Sequence, residues 1–176
     1  MKKRLIKLFS LYLYNLLLFL PLAGFLIAYR IVQDWETAFI VGGALALLQI
    51  KLFLYERLSI DRFMLAVNLF VMGGAIGFLL NINWLLDLYE TYIQATLFGY
   101  LVLVGIVSTC CTKLGFINVE ARAALVRTYS IYLLIGTLIA FGFSLYFKGH
   151  LLWAGIVPFV FLRIFRDHLV QRVKAK

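Results

Sequence analysis

The side chains with most chemistry to offer in this sequence are two histidines, two cysteines and eight carboxylates. His150 and His168 are the only imidazoles, and a metal centre or a proton relay would need more ligands near either one. Cys110 and Cys111 are neighbours, and adjacent residues on a helix point about 100° apart, so a structural disulfide between them is not expected. Arg163, Arg166, Asp167 and His168 form the one cluster where an acid, an imidazole and cations meet. The simpler reading of that cluster is a solvated basic helix end, favourable to the helix dipole and to anionic lipid. Phosphate-cradling glycine loops, nucleophile elbows and paired-histidine zinc motifs are absent. The chain therefore reads as non-enzymatic, with no catalytic residue, cofactor or metal site.

Four amides are placed differently. Asn15, Gln49, Asn68 and Gln94 lie at the middle depth of long apolar runs. An unsatisfied amide in hydrocarbon is costly, so each should face another helix. Interhelical hydrogen bonds worth ~0.5–2 kcal/mol each are one outcome. The other is a cavity for a lipid or polyprenyl carrier, with Pro21 and Pro158 kinking helices around it because proline removes a backbone hydrogen bond.

The elements that carry these residues follow from composition. Of 176 residues, 64% are hydrophobic and 14% charged, against about 45–50% and about 25% in soluble domains. Mean hydropathy is +0.99. A hydrocarbon core of about 30 Å needs ~20 apolar helical residues. Uncharged runs of that order cover 8–29, 63–86, 91–112 and 128–147. A shorter run, 37–50, becomes a span if Lys51 snorkels and the following residues to Tyr55 complete the last turn. Another, 149–162, holds Pro158 and ends at Arg163. The runs are continuous rather than alternating, which argues against a barrel. The fold class is thus all-α, a polytopic integral membrane protein of about six transmembrane helices, with five the alternative, in one domain over 1–176.

Charge sets the orientation. With both termini in the cytoplasm, every Lys and Arg except Arg30 and Lys148 falls inside, as the positive-inside rule requires. Without the last span, the basic residues after Leu162 would move outside and the bias would weaken. Trp35, Trp84 and Trp153 fall at the outer boundaries, where amphipathic rings favour the headgroup level. The net charge of +9 sits beside membrane ends and points to anionic lipid at the cytoplasmic face rather than to nucleic acid. The basic start before a long apolar run looks like a signal sequence, but the run exceeds an h-region of about 7–15 residues and should stay as the first helix. The inner connection from Lys113 to Arg127, with Asn118 as N-cap, predicts a short interfacial helix on the cytoplasmic leaflet.

Small residues mark expected helix contacts at Gly42, Gly43, Gly73, Gly77 and Gly136, because close backbone approach drives association in lipid. Such faces close a monomer, build a self-associated form or receive other membrane proteins.

Phe19-Leu20-Pro21-Leu22, followed by Tyr29-Arg30, an Ala-rich second run from 38 to 48, Tyr55 and Arg57, and then Gly73-Gly74, carries a resemblance. Over about 19–80 the chain resembles the intracellular septation protein A family of small bacterial inner-membrane proteins. The stretch 81–90 departs from that family in holding Trp84 but no Lys. The resemblance implies a non-enzymatic role in cell-envelope maintenance or cell division, through contacts with envelope-synthesis and septation proteins. The alternative from the residues is a transporter or scramblase of a lipid or small hydrophobic solute. Reporter fusions after Lys7 and after Lys176 are expected to read cytoplasmic together; an external reading at Lys176 alone would leave five spans.

Overall fold

The structure, a computed structural model, describes residues 20–56 and 60–175, and every regular element among them is helical. The elements are α1 (Leu20–Val32), α2 (Trp35–Tyr55), α3 (Arg62–Leu79), α4 (Asn83–Cys111), α5 (Ala123–Tyr146), a six-residue π-helical segment (Leu151–Ile156) and α6 (Val157–Lys174). Four of them, α2 to α5, are long and apolar enough to cross a membrane, where the sequence pattern predicts six spans. The shortfall has two sources. The expected first span begins at residue 8, and its part before Leu20, with Asn15, lies outside the described residues. The last helix carries Arg163, Arg166, Asp167, Arg172 and Lys174, so composition alone does not make it a span.

The connections are tight, and residue type explains each. Gln33 ends α1 in the left-handed region (φ 55°) while its N–H donates to the Tyr29 carbonyl at 2.8 Å, a left-handed helix stop. Asp34 then caps α2: its carboxylate accepts from the Thr37 N–H at 2.8 Å and the Thr37 hydroxyl at 2.6 Å. The turn after α3 is made by Asn81 at φ 50°, with the Ile82 N–H donating to the Gly77 carbonyl at 2.9 Å. The predicted third span over 63–86 is therefore corrected to Arg62–Leu79, and Trp84 to Glu90 lies inside α4 rather than in an outer loop. Asparagine tolerates the left-handed turn that hydropathy cannot register.

The expected interfacial helix is absent as well. Residues 113–118 form turns and α5 starts at Ala123. Asn118 does not cap a helix; it takes φ 59°, as Gly115 takes φ 60°. Between them the chain folds inward, so that Phe116 and Ile117 are fully buried. The Ile117 N–H donates to the buried Ser130 hydroxyl of α5 at 3.2 Å. Two buried apolar side chains and a partner for the backbone favour this tuck over an amphipathic helix on a surface.

The described residues divide into two compact units, one of 20–56, 60 and 67–86, the other of 61–66 with 87–175. The first is held by small-residue contacts. A Cβ on Gly43 would stand 2.7 Å from the Ala75 Cβ, and one on Gly42 2.9 Å from the Phe25 Cβ. A Cβ on Gly74 would run into the Phe39 ring, and Gly77 faces Leu85 and Leu86. Phe25, Phe39, Phe70 and Phe78 pack as an aromatic core there, with ring centroids 4.7–6.4 Å apart. Gly73 is half-buried in α3. In the second unit α6 folds back on α5, and a Cβ on Gly136 would lie 3.0 Å from the Phe165 ring. The tightest approach on α3, at Gly74, is the one the Gly73/Gly77 spacing does not single out.

The hydroxyl and N–H of Thr37 hold the Asp34 carboxyl below the usual carboxylate range. A depressed folded-state pKa contributes stability above the unfolded value and loses it as pH falls through the folded value. Exchange protection of the Thr37 amide should therefore fall on acidification, and Asp34→Ala should remove both the protection and its pH dependence. Gly43→Leu is expected to lower stability by about 1–3 kcal/mol through overpacking. Gly142→Ala, with nothing within 4 Å of the added carbon, should leave the thermal midpoint in detergent unchanged or higher; equal midpoints for both variants would contradict the packing argument.

Candidate functional site

The most unusual chemistry of the second unit gathers at Asp61, the residue before α3. Its Oδ1 accepts from the Phe63 N–H at 2.9 Å and from the Met64 N–H at 3.4 Å, which caps the helix. Its Oδ2 accepts from Arg166 Nη2 of α6 at 2.5 Å. The Arg166 guanidinium also stands 5.3 Å from the centroid of the Phe63 ring, within cation–π range. Phe63 in turn stacks on Phe116 of the tucked turn at 5.8 Å, with planes 6° apart, and meets Phe159 of α6 edge-on at 6.1 Å. One carboxylate thus joins the start of α3, the inward turn after α4 and the last helix.

Arg166 is 8% exposed. The sequence reading of Arg163, Arg166, Asp167 and His168 as one solvated helix end is corrected for Arg166 alone. α6 buries Pro158, Leu162, Arg166, Leu169 and Val173, a helical stripe, and Arg166 occupies the middle of it. Arg163 and Asp167 pair with each other at 3.8 Å on the outer side, a contact of small worth, and His168 is exposed. Phe165 packs on Gly136 of α5, while Arg166 itself meets the residue that precedes α3. The missing signal was the partner, since nothing local in the sequence links Asp61 with Arg166.

The division of labour at Asp61 has a consequence. An arginine presents Nε and one Nη as a fork that a carboxylate can grip with both oxygens. Here one oxygen is committed to the backbone of α3, so Arg166 is held through Nη2 and its buried Nε has no acceptor among the described residues. The Nε of Arg62, the next residue after Asp61, is likewise buried without an acceptor. Two buried guanidinium donors, one on each of these arginines, therefore lack an acceptor among the described residues.

The predicted amides fall elsewhere. Asn68 Nδ2 donates to Gln49 Oε1 at 2.8 Å, and both residues are buried in the first unit. Gln94 is half-buried in the second unit, its stem 3.5 Å from where a Gly155 Cβ would be, against the π-helical segment. α4 is kinked at Tyr92 (φ −133°, ψ 35°), and the Thr96 hydroxyl donates to the carbonyls of Tyr92 at 2.9 Å and Leu88 at 3.4 Å, which compensates the broken ladder. Lys148 covers the Tyr92 ring at 5.0 Å. Cys110 and Cys111 are free and exposed. Asn15 lies outside the described residues. No protein-family model, curated protein or solved structure matches the chain.

Asp61→Ser keeps a capping oxygen but strands the Arg166 charge. It is expected to cost about 3–5 kcal/mol, the usual penalty for breaking a buried pair. Asp61→Ser with Arg166→Met should regain most of that loss. Thermal or denaturant unfolding in detergent measures both, and a double variant no more stable than the single one would show the pair to be uncoupled.

Proposed function

We propose that the chain is a multi-pass protein of the bacterial inner membrane that works by contact with other membrane proteins, in envelope maintenance or septation, and not by catalysis. Six spans with both termini in the cytoplasm, a basic inner face against anionic lipid, and small-residue helix contacts complete the reading. The observation that carries it is how polar side chains are used. Gln49 and Asn68 bond to each other, Thr137 donates to the Leu133 carbonyl at 2.9 Å, Ser130 receives the Ile117 N–H, and Asp61 holds Arg166. Large apolar side chains such as Leu48, Ile139 and Ile164 face outward at 63–67% exposure. That pattern of polar groups turned inward and aliphatic groups turned outward suits lipid as the solvent.

A transporter or scramblase is the second reading, and one observation favours it. The Oδ1 of the fully buried Asn68 has no donor among the described residues, and an unsatisfied buried acceptor is the kind of group a translocated polar headgroup would engage.

Two measurements separate the readings. Alkaline carbonate should leave the full-length chain in the membrane fraction, and detergent should release it together with envelope-synthesis proteins at fixed stoichiometry. Purified protein in liposomes should not accelerate flip-flop of a labelled lipid. Release by carbonate would refute membrane integration, and lipid flip-flop that Asn68→Leu abolishes would replace the contact reading with the transport one.

A further inference from the structure

The charge cluster at the start of α3 has more donors than acceptors, and the excess has a definite place. Asp61 is the shared acceptor of two backbone amides and of Arg166. The Nε of Arg166 and the Nε of Arg62, the residue that follows Asp61, are both buried and have no acceptor among the described residues. Arg166 is fixed on three sides, by the carboxylate, by the Phe63 face and by burial in the α6 stripe. Arg62 is the adaptable member, in the first turn of α3 and only half-buried. Arg62 adds a second positive charge in the first turn of α3, the helix end whose dipole is itself positive, and no ion pair to it is seen among the described residues.

We propose that Arg62 and Arg166 form a binding site for a phosphate oxyanion at the N-terminus of α3, filled in the membrane by the headgroup phosphate of an anionic lipid. The chemistry is specific. A buried donor without a partner costs about 1–3 kcal/mol, more when it is charged, and a phosphate oxygen is the strong acceptor that planar guanidinium groups grip best. The carboxylate cannot serve, because its second oxygen caps the helix. Movement of the Arg62 side chain opens the way in, while Arg166 and Asp61 stay as the preformed wall. The proposal rests on the membrane reading above only for the source of the phosphate; the oxyanion chemistry stands without it.

The test uses full-length protein in mixed micelles, titrated with phosphatidylglycerol, with diacylglycerol (which has no phosphate) and with inorganic phosphate, and followed by native mass spectrometry and thermal midpoint. The wild type should bind and be stabilised by phosphatidylglycerol and not by diacylglycerol. Arg62→Gln should weaken that binding about tenfold, the loss of one charge-assisted hydrogen bond. Lys174→Gln, which removes an equal charge from the far end of α6, should change it less than about twofold. Arg166→Lys should weaken it similarly to Arg62→Gln, and serves where it folds; Arg62→Gln decides alone where it does not. Competition by inorganic phosphate at the same site would assign a soluble oxyanion as the source and keep the site. Phosphatidylglycerol binding equal in wild type, Arg62→Gln and Lys174→Gln would overturn the proposal, since general surface charge would then explain it. Carbonate extraction reports membrane integration separately, so failure of that reading is not confused with failure of the site.

Discussion

Burying a guanidinium is tolerable only if a counter-charge and acceptors are supplied, and this constraint organises the second unit. Arg166 lies in the packed stripe of α6, so some carboxylate has to meet it there. Asp61 does so while also starting α3. The arrangement draws in the aromatic rings, because Phe63 is placed by the same cap and supplies the π-face beneath the cation. Phe116 then stacks on Phe63, and the inward fold of the turn after α4 is the backbone's way of delivering that ring. Removal of the acid would leave a charge with no route to water and an aromatic stack with no anchor.

The first unit depends on shape instead. Gly42, Gly43 and Gly74 allow contacts that any side chain would block, and in lipid it is close packing rather than exclusion from water that holds helices together. The buried polar pair of Gln49 with Asn68 adds direction to that interface. The two units thus hold their helices together in two ways: backbone proximity in one, a shielded ion pair in the other.

How much of this could be read in advance depended on range. Long apolar runs located α2 and α5 well, because hydropathy is a property of consecutive residues; the 37–55 and 128–147 segments fall within Trp35–Tyr55 and, but for one residue, Ala123–Tyr146. At Gly42, Gly43 and Gly136 an added Cβ would come within about 3 Å of a neighbouring side chain. The break at Asn81 and the inward turn at Gly115 and Asn118 were hidden, since left-handed residues inside an uncharged or mixed stretch leave hydropathy unchanged. Arg166 was misjudged for a deeper reason. A local window sees a basic helix end, and only the fold reveals that one of its cations meets the acid that starts α3.

The direct measurement is the exchange rate of the Arg166 Nε–H with water, by NMR of selectively labelled protein in micelles. That proton sits on a buried, ion-paired guanidinium, so it should exchange far more slowly than the Nε–H of the exposed Arg172. Equal, fast exchange at the two sites would mean that Arg166 is solvated, and the buried pair with Asp61 would have to be abandoned.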